Sequence, residues 1–197
     1  MSDYLRCENT PALETPRLLM RPPVPTDAPD LAEWLGLDEV YTYWGRKASG
    51  GEKNPASLFI DPRPHVKRKP SQDYNWMLVL RDTGKVIGEL GIFNVENGRM
   101  ADVAYRIHPA YWGRGITTEA MQRVISYVFE ETTLQRLNAS ADVRNAGSNR
   151  VLEKCGFLRE GTVRQGKMVS VYCDYHIYGL LKSDYEGAAM ELCSQES

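Results

Sequence analysis

Alternating and helically spaced apolar positions divide most of the chain into short elements. Residues 17–21 read as a first strand after a proline-bounded start. Residues 27–37 read as a helix with Thr26 as a candidate N-cap, and residues 38–44 as a shorter one. Strand-like runs at 75–80 and 86–93 flank the turn Asp82-Thr83-Gly84-Lys85. A second turn, Glu96-Asn97-Gly98, leads into an alternating run at 101–107, so antiparallel hairpins are predicted. After Gly115 comes a helical stripe of Ile116, Ala120, Val124 and Val128, widened by Met121, Ile125 and Phe129. Residues 136–141 form the next strand. Asn145 caps a short helix whose apolar side is Val151, Leu152 and Cys155 and which Gly156 ends. Residues 157–164 and 170–181 make a final strand pair, and the chain from Gly187 is expected to be a loose tail. The mixture indicates an α/β (α+β) fold in one domain over residues 1–186.

Composition narrows this little. A chain of 197 residues with 42% hydrophobic and 25% charged positions has enough mass for its own core. A net charge of −2 argues against general nucleic-acid binding. Residues 1–10 are polar, so no signal peptide is expected, and no apolar run approaches the ~20 residues of a membrane span. Four scattered cysteines make no metal-ligand spacing and suit a reducing, cytoplasmic setting. Residues 45–73 stand apart. They are rich in Gly, Pro and Ser and hold seven Lys or Arg against three Asp or Glu. A long basic loop of this kind is expected either to attract an acidic ligand or to be merely solvated.

The candidate chemistry begins at Tyr111-Trp112-Gly113-Arg114-Gly115-Ile116-Thr117-Thr118-Glu119-Ala120. Strand, glycine turn and helix follow in that order, so unpaired N–H groups converge before a positive helix end. That is a seat for phosphate or pyrophosphate. Nucleotide loops fit poorly. Ile116 and Thr117 follow Gly115 where a P-loop needs Gly-Lys-Ser/Thr. Thr118 replaces the third glycine of the dinucleotide fingerprint, and no matching βαβ unit is read after it.

A second segment, Asp142-Val143-Arg144-Asn145-Ala146-Gly147-Ser148-Asn149 through Lys154-Cys155-Gly156-Phe157-Leu158-Arg159-Glu160-Gly161, completes a pattern. Together the two resemble the GNAT superfamily of acyl-CoA N-acyltransferases, in the branch of the ribosomal-protein N-terminal acetyltransferases. The resemblance runs from about Leu13 to Leu181. It implies a twisted, mostly antiparallel sheet flanked by helices, whose central strands, here 101–107 and 136–141, splay to admit acetyl-CoA. No metal is implied. It implies transfer of acetyl to a primary amine, a protein N-terminus or a small molecule, with a homodimer possible. A non-catalytic acyl-CoA-binding regulatory module is the alternative.

The resemblance also distributes roles. Pantetheine lies along Arg106, Ile107 and His108, where a β-bulge would free the Ile107 amide for the thioester oxygen. Pyrophosphate sits on the amides of Trp112, Gly113, Arg114, Gly115, Ile116, Thr117 and Thr118. Asn145 meets the arm beside Asn149, and Ser148 lies near the sulfur as candidate proton donor to the thiolate, although Asn145 and Ser148 equally suit a helix start. Arg114, Arg144 and Arg150 are candidates for the outer phosphate or for a solvated face. Glu89 and Asp102, each on a strand, are candidate general bases, or else pair with arginine. The position matched to a base in some relatives holds Lys167. Tyr105 and Trp44 are candidates for an acceptor pocket or for core, and Asp174 for holding the amine. His65 lies in the basic loop, and His176 reads as structural.

Overall fold

A computed structural model describes residues 10–48, 50–59 and 73–195. Its strands are β1 (Leu13–Glu14), β2 (Leu18–Arg21), β3 (Tyr74–Leu80), β4 (Val86–Glu96), β5 (Met100–Ile107), β6 (Arg136–Asp142), β7 (Leu158–Met168) and β8 (Val171–Leu181). Among the described residues they form one sheet in the order β1-β2-β3-β4-β5-β6-β8-β7. The helices are α1 (Ala28–Trp34), α2 (Asp38–Tyr41), α3 (Gly50–Lys53), α4 (Ile116–Glu131), α5 (Ala146–Lys154) and α6 (Lys182–Gln195).

The hairpins arise where the turn chemistry predicts them. Asn97 and Gly98 both adopt positive φ, 51° and 66°, as a tight turn between twisted strands requires. All neighbouring strands are antiparallel except β5 and β6. Parallel neighbours need a crossover, and α4 supplies it. So β5, α4 and β6 do form a βαβ unit, contrary to the sequence reading. A parallel pair has no local turn to announce it.

The core has two layers. On one face α4 presents Ile116, Ala120, Val124 and Val128 to Leu18, Met20, Leu78, Leu90, Ile92 and Val103, all buried. On the other, Leu31, Trp34 and Leu35 pack on Met77, Val79 and Val86. Each face takes alternate strand residues, which is why the alternation was readable.

Several boundaries differ from expectation; α1 ends at Trp34, and β4 and β7 run on to Glu96 and Met168. A 3-10 turn at Pro25–Asp27 precedes α1, and the cap position is Asp27, not Thr26. The Asp27 carboxylate accepts from Arg21 Nη2 (2.6 Å) and Nη1 (2.9 Å) and from the Val24 N–H (2.9 Å). The second helix stops at Tyr41, three residues short of the expected end. The expected tail is largely helix. Asp184 accepts the Leu181 N–H (3.1 Å), and Tyr185 packs on Phe129 with ring centroids 5.6 Å apart, which anchors α6. Residues 60–72 of the basic segment, with His65, Lys67, Arg68 and Lys69, lie outside the described residues. No helix among the described residues is long and apolar enough to cross a membrane.

One contact ties the far hairpin to the segment after α2. The Gly45 carbonyl accepts from the Ser170 N–H (2.9 Å) and Oγ (3.0 Å). Gly45 has φ +76°, and a Cβ there would lie 2.4 Å from the Met168 carbonyl oxygen. Gly45→Ala should therefore lower stability by about 1–3 kcal/mol. Chemical denaturation checks this. An unchanged midpoint would mean that the hairpin tip does not hold the segment.

Candidate active site

The site begins where the sheet parts. β5 and β6 pair only over Met100–Asp102 with Arg136–Asn138. Beyond that, Val103 to Ile107 keep their β4 partners alone, in unbroken register from Gly88↔Ile107 to Phe93↔Asp102. The His108 N–H donates to the Ile87 carbonyl (2.7 Å), which sets the alternation of the ladder. By that alternation Arg106 turns its backbone to β4, whereas Tyr105 and Ile107 turn theirs to the gap. The Ile107 carbonyl confirms the direction, since it accepts the Trp112 indole Nε1–H at 2.9 Å. Hence the Ile107 amide faces the gap with no bulge. The β4–β5 irregularity lies elsewhere, between Phe93 and Glu96.

The gap widens into a cavity of about 570 Å³. Val103 to Ile107 and Ala139 to Ala141 form two walls, Asn145 to Ser148 a third, and Trp112, Gly113 and Thr117 one end. Glu39, Tyr43 and Trp44 close the side opposite.

The glycine turn is shaped by two left-handed residues, Gly113 at φ 72° and Gly115 at φ 73°. Gly115 is the N-cap of α4 and offers no side-chain cap, so the leading N–H groups of the helix lack an intrahelical partner. Arg17 holds the turn from behind. It donates through Nη1 to the Arg114 carbonyl (2.9 Å) and through Nε to Glu119 (2.6 Å). Ile116 is in the core, Thr117 lines the cavity, and the Thr118 carbonyl accepts from Cys155 Sγ (3.8 Å). The Arg114 side chain lies over the Tyr111 ring.

At the start of α5 the Asn145 side-chain oxygen accepts the Ser148 N–H (3.1 Å). Ser148 Oγ lies 2.8 Å from the Tyr105 hydroxyl. Burial pushes the Tyr105 phenol well above its ordinary value, and the bond to Ser148 draws it only partly back. The pair therefore stays protonated at neutral pH. The sequence reading left Tyr105 between pocket and core. The alternation that places it on one face with Val103 and Ile107 was the available signal.

Several candidates have other employment. Asn149 donates to the carbonyls of Asp142 (3.1 Å) and Asn145 (2.8 Å) and accepts from Tyr178 (2.8 Å), so it braces α5 outside the cavity lining. The His108 ring accepts the Ala110 N–H (3.1 Å), so both its backbone and its ring are committed. Glu89 pairs with Arg106 through Nε (2.7 Å) and Nη2. Arg106 also donates to Tyr41 (2.6 Å) and Glu52 (3.2 Å) and lies over Trp44. Asp102 accepts from Asn94 (2.9 Å) and Asn138 (3.4 Å), outside the lining. Asp174 accepts the Gln165 N–H (2.8 Å), and His176 Nδ1 lies 2.8 Å from Thr162 Oγ1. Arg144 pairs with Asp142 (2.6 Å) and lies over Tyr43. Glu89 and Asp102 thus stand as partners of fixed donors. Strand polarity alone could not reveal those donors, because they come from other elements.

A parted sheet beside an uncapped helix start is an architecture of acyl-CoA transferases. A family model described as acetyltransferase (GNAT) domain matches residues 17–158. The chain belongs to the GNAT acetyltransferase family. It is 32% identical over 156 residues to an uncharacterized N-acetyltransferase, YoaA, of Bacillus subtilis, covering 79% of this chain and 87% of that one. It is 38% identical over 106 residues to a putative ribosomal N-acetyltransferase, YdaF, of the same organism, covering 53% and 58%. The spermidine N-acetyltransferase of Vibrio cholerae, solved with CoA and spermine, shares the fold at TM-score 0.71 and 18% identity over 87% of this chain and 99% of that one.

Two carboxylates beside the site generate an acid dependence. Arg144 is the chief cause of the lowered Asp142 value. Partial burial pushes Glu119 up, but hydrogen bonds from Thr15 and Arg17 outweigh it and hold it below the ordinary value. Each contributes stability above its unfolded pKa, near pH 4, and loses it as pH falls through the lower folded value. The thermal midpoint should be level down to about pH 5 and fall below about pH 4. Asp142→Asn should lower the neutral midpoint and flatten the acid limb. An unaltered limb would remove Asp142 from the account.

Proposed function

We propose that this chain transfers an acetyl group from acetyl-CoA to a primary amine by direct attack within a ternary complex. The observation that carries the reading is the unpaired β5 edge running into the uncapped start of α4. Both are backbone donor sets, and they sit at two ends of one cavity. A cosubstrate with a diphosphate and an amide-bearing arm fits that pair.

The N–H groups of residues 113–118 would hold the diphosphate, where a helix end favours anions. From the turn the arm would run back along β5, pairing first with the Ile107 N–H, and Asn145 would border it. The bound thioester supplies an activated acyl carbon. The Tyr105 N–H, one repeat farther from the turn, donates to the acyl oxygen as negative charge gathers there. The amine nitrogen bonds the acyl carbon, the carbon–sulfur bond breaks, and the Ser148–Tyr105 pair passes a proton to the departing sulfur; the new amide nitrogen sheds its extra proton to water, and water restores the proton of the pair. Alignment of the two reactants supplies much of the rate.

The two cysteines whose side chains the structure describes do not suit a thiol-bound acyl-enzyme, which favours direct attack. Burial pushes Cys155 up to about 12 and raises Cys173 as well. Both thiols therefore stay protonated, and neither lines the cavity. With Glu89 held by Arg106, the amine arrives neutral or gives its proton to water. Glu39, a carboxylate on the exposed rim of the cavity, lies where an ammonium group would approach. The acceptor is a protein N-terminus or a small-molecule amine.

Thiol release from acetyl-CoA should rise with at least one member of a panel of amines and free-N-terminal peptides. Ser148→Ala and Tyr105→Phe should each lower kcat roughly tenfold to a hundredfold, since both serve one proton transfer. Calorimetric CoA affinity should stay within about twofold of wild type. Tight acetyl-CoA binding with no amine-dependent thiol release would make the chain a binding module instead.

A further inference from the structure

We propose that the Trp112 side chain is a positioning residue that fixes the register of the cosubstrate arm on β5. This rests on the reading of the cavity as an acyl-CoA site.

The β5 edge offers the arm a short row of backbone groups: Val103 carbonyl, Tyr105 N–H, Tyr105 carbonyl, Ile107 N–H and Ile107 carbonyl. Successive equivalent groups recur every two residues, about 6.8 Å apart along an extended strand. A ligand with two amides therefore has more than one way to pair, as a slipped strand does. The amide and thioester ends of the arm do not themselves distinguish these registers.

Trp112 removes the register that slips toward the glycine turn. Its indole N–H takes the Ile107 carbonyl at 2.9 Å. The N–H of the same peptide unit, from His108, is taken by Ile87 at 2.7 Å. That peptide is held at both ends, and its carbonyl is withdrawn from any ligand. The Ile107 N–H is left as a donor without a competing acceptor beside it, and the arm finds its next pairing groups at Tyr105. A slip by one repeat, toward the glycine turn, would need the Ile107 carbonyl and finds it occupied.

The position of Trp112 suits this work. It is the residue before Gly113, it lines the cavity, and it is about half exposed (49%). An exposed tryptophan is not there to fill the core. Its polar edge points inward to one carbonyl, and by that bond the glycine turn is tied to the end of β5. The diphosphate seat and the first pairing group of β5 are therefore held at a fixed separation.

Trp112→Phe keeps an aromatic ring and deletes the donor. It opens a non-productive register, so kcat and KM for acetyl-CoA should fall together, about threefold to tenfold, the equivalent of one ordinary hydrogen bond. The ratio kcat/KM should stay within about twofold of wild type. Calorimetric CoA affinity should be unchanged or tighter. A merely structural tryptophan would instead lower the thermal midpoint and raise KM, and that result, or an unchanged kcat, would overturn the proposal. Wild-type protein gives a second check that needs no variant. The Trp112 indole N–H should exchange with solvent deuterium slowly, both alone and with CoA. Exchange at the rate of a free indole would also overturn it. Failure of the functional reading looks different: wild type would give no heat with CoA and no turnover with any amine.

Discussion

The structure depends on one interruption of sheet pairing. Backbone N–H and carbonyl groups inside a protein must find partners. β5 satisfies one edge on β4 and, past Asp102, leaves the other without β6. Such an edge is tolerable where it faces a cavity that water or a ligand enters. The crossover through α4 keeps the strands parallel at one end while Ala139 and Ala141 stand off from Tyr105 at the other. The same crossover starts at the glycine turn. The parted edge and the orphan helix amides are thus two consequences of one βαβ unit.

The opposite face of β5 is governed by charge. Arg106 is about 10% exposed and is surrounded by Glu89, Glu52 and the Tyr41 hydroxyl, with Arg46 also paired to Glu52. A buried guanidinium left alone would be strongly unfavourable, and its partners come from β4, α2 and α3. Burial alone would lower its affinity for the proton, yet the adjacent Glu89 carboxylate reverses the direction. The network anchors the short helices over the sheet and so fixes the wall formed by Tyr43 and Trp44. It also makes Glu89 the chief partner of Arg106.

Much of this was legible in order along the chain. The alternation in residues 101–107 and the stripe of α4 gave the elements. The Trp112-Gly113-Arg114-Gly115 run gave the turn before α4, since positive φ at both glycines follows from their lack of a Cβ. Asn145 was read as the cap of a short helix, and the structure gives it that bond, from the Ser148 N–H. Asp102, Asn149 and His108 were read by their own strand or helix, and each is engaged by atoms from elsewhere.

The sequence by itself determined which segments are strand or helix, where the chain turns, and that a glycine-flanked helix start exists. Those are local consequences of periodicity, of missing side chains and of fixed backbone preferences. The tertiary structure decided which carboxylates are already paired, that Tyr105 meets Ser148, and that Trp112 reaches back to Ile107. Each of these is a meeting of groups from different elements. It depends on which strands lie adjacent and on which face each residue falls, and no single stretch of the chain encodes that.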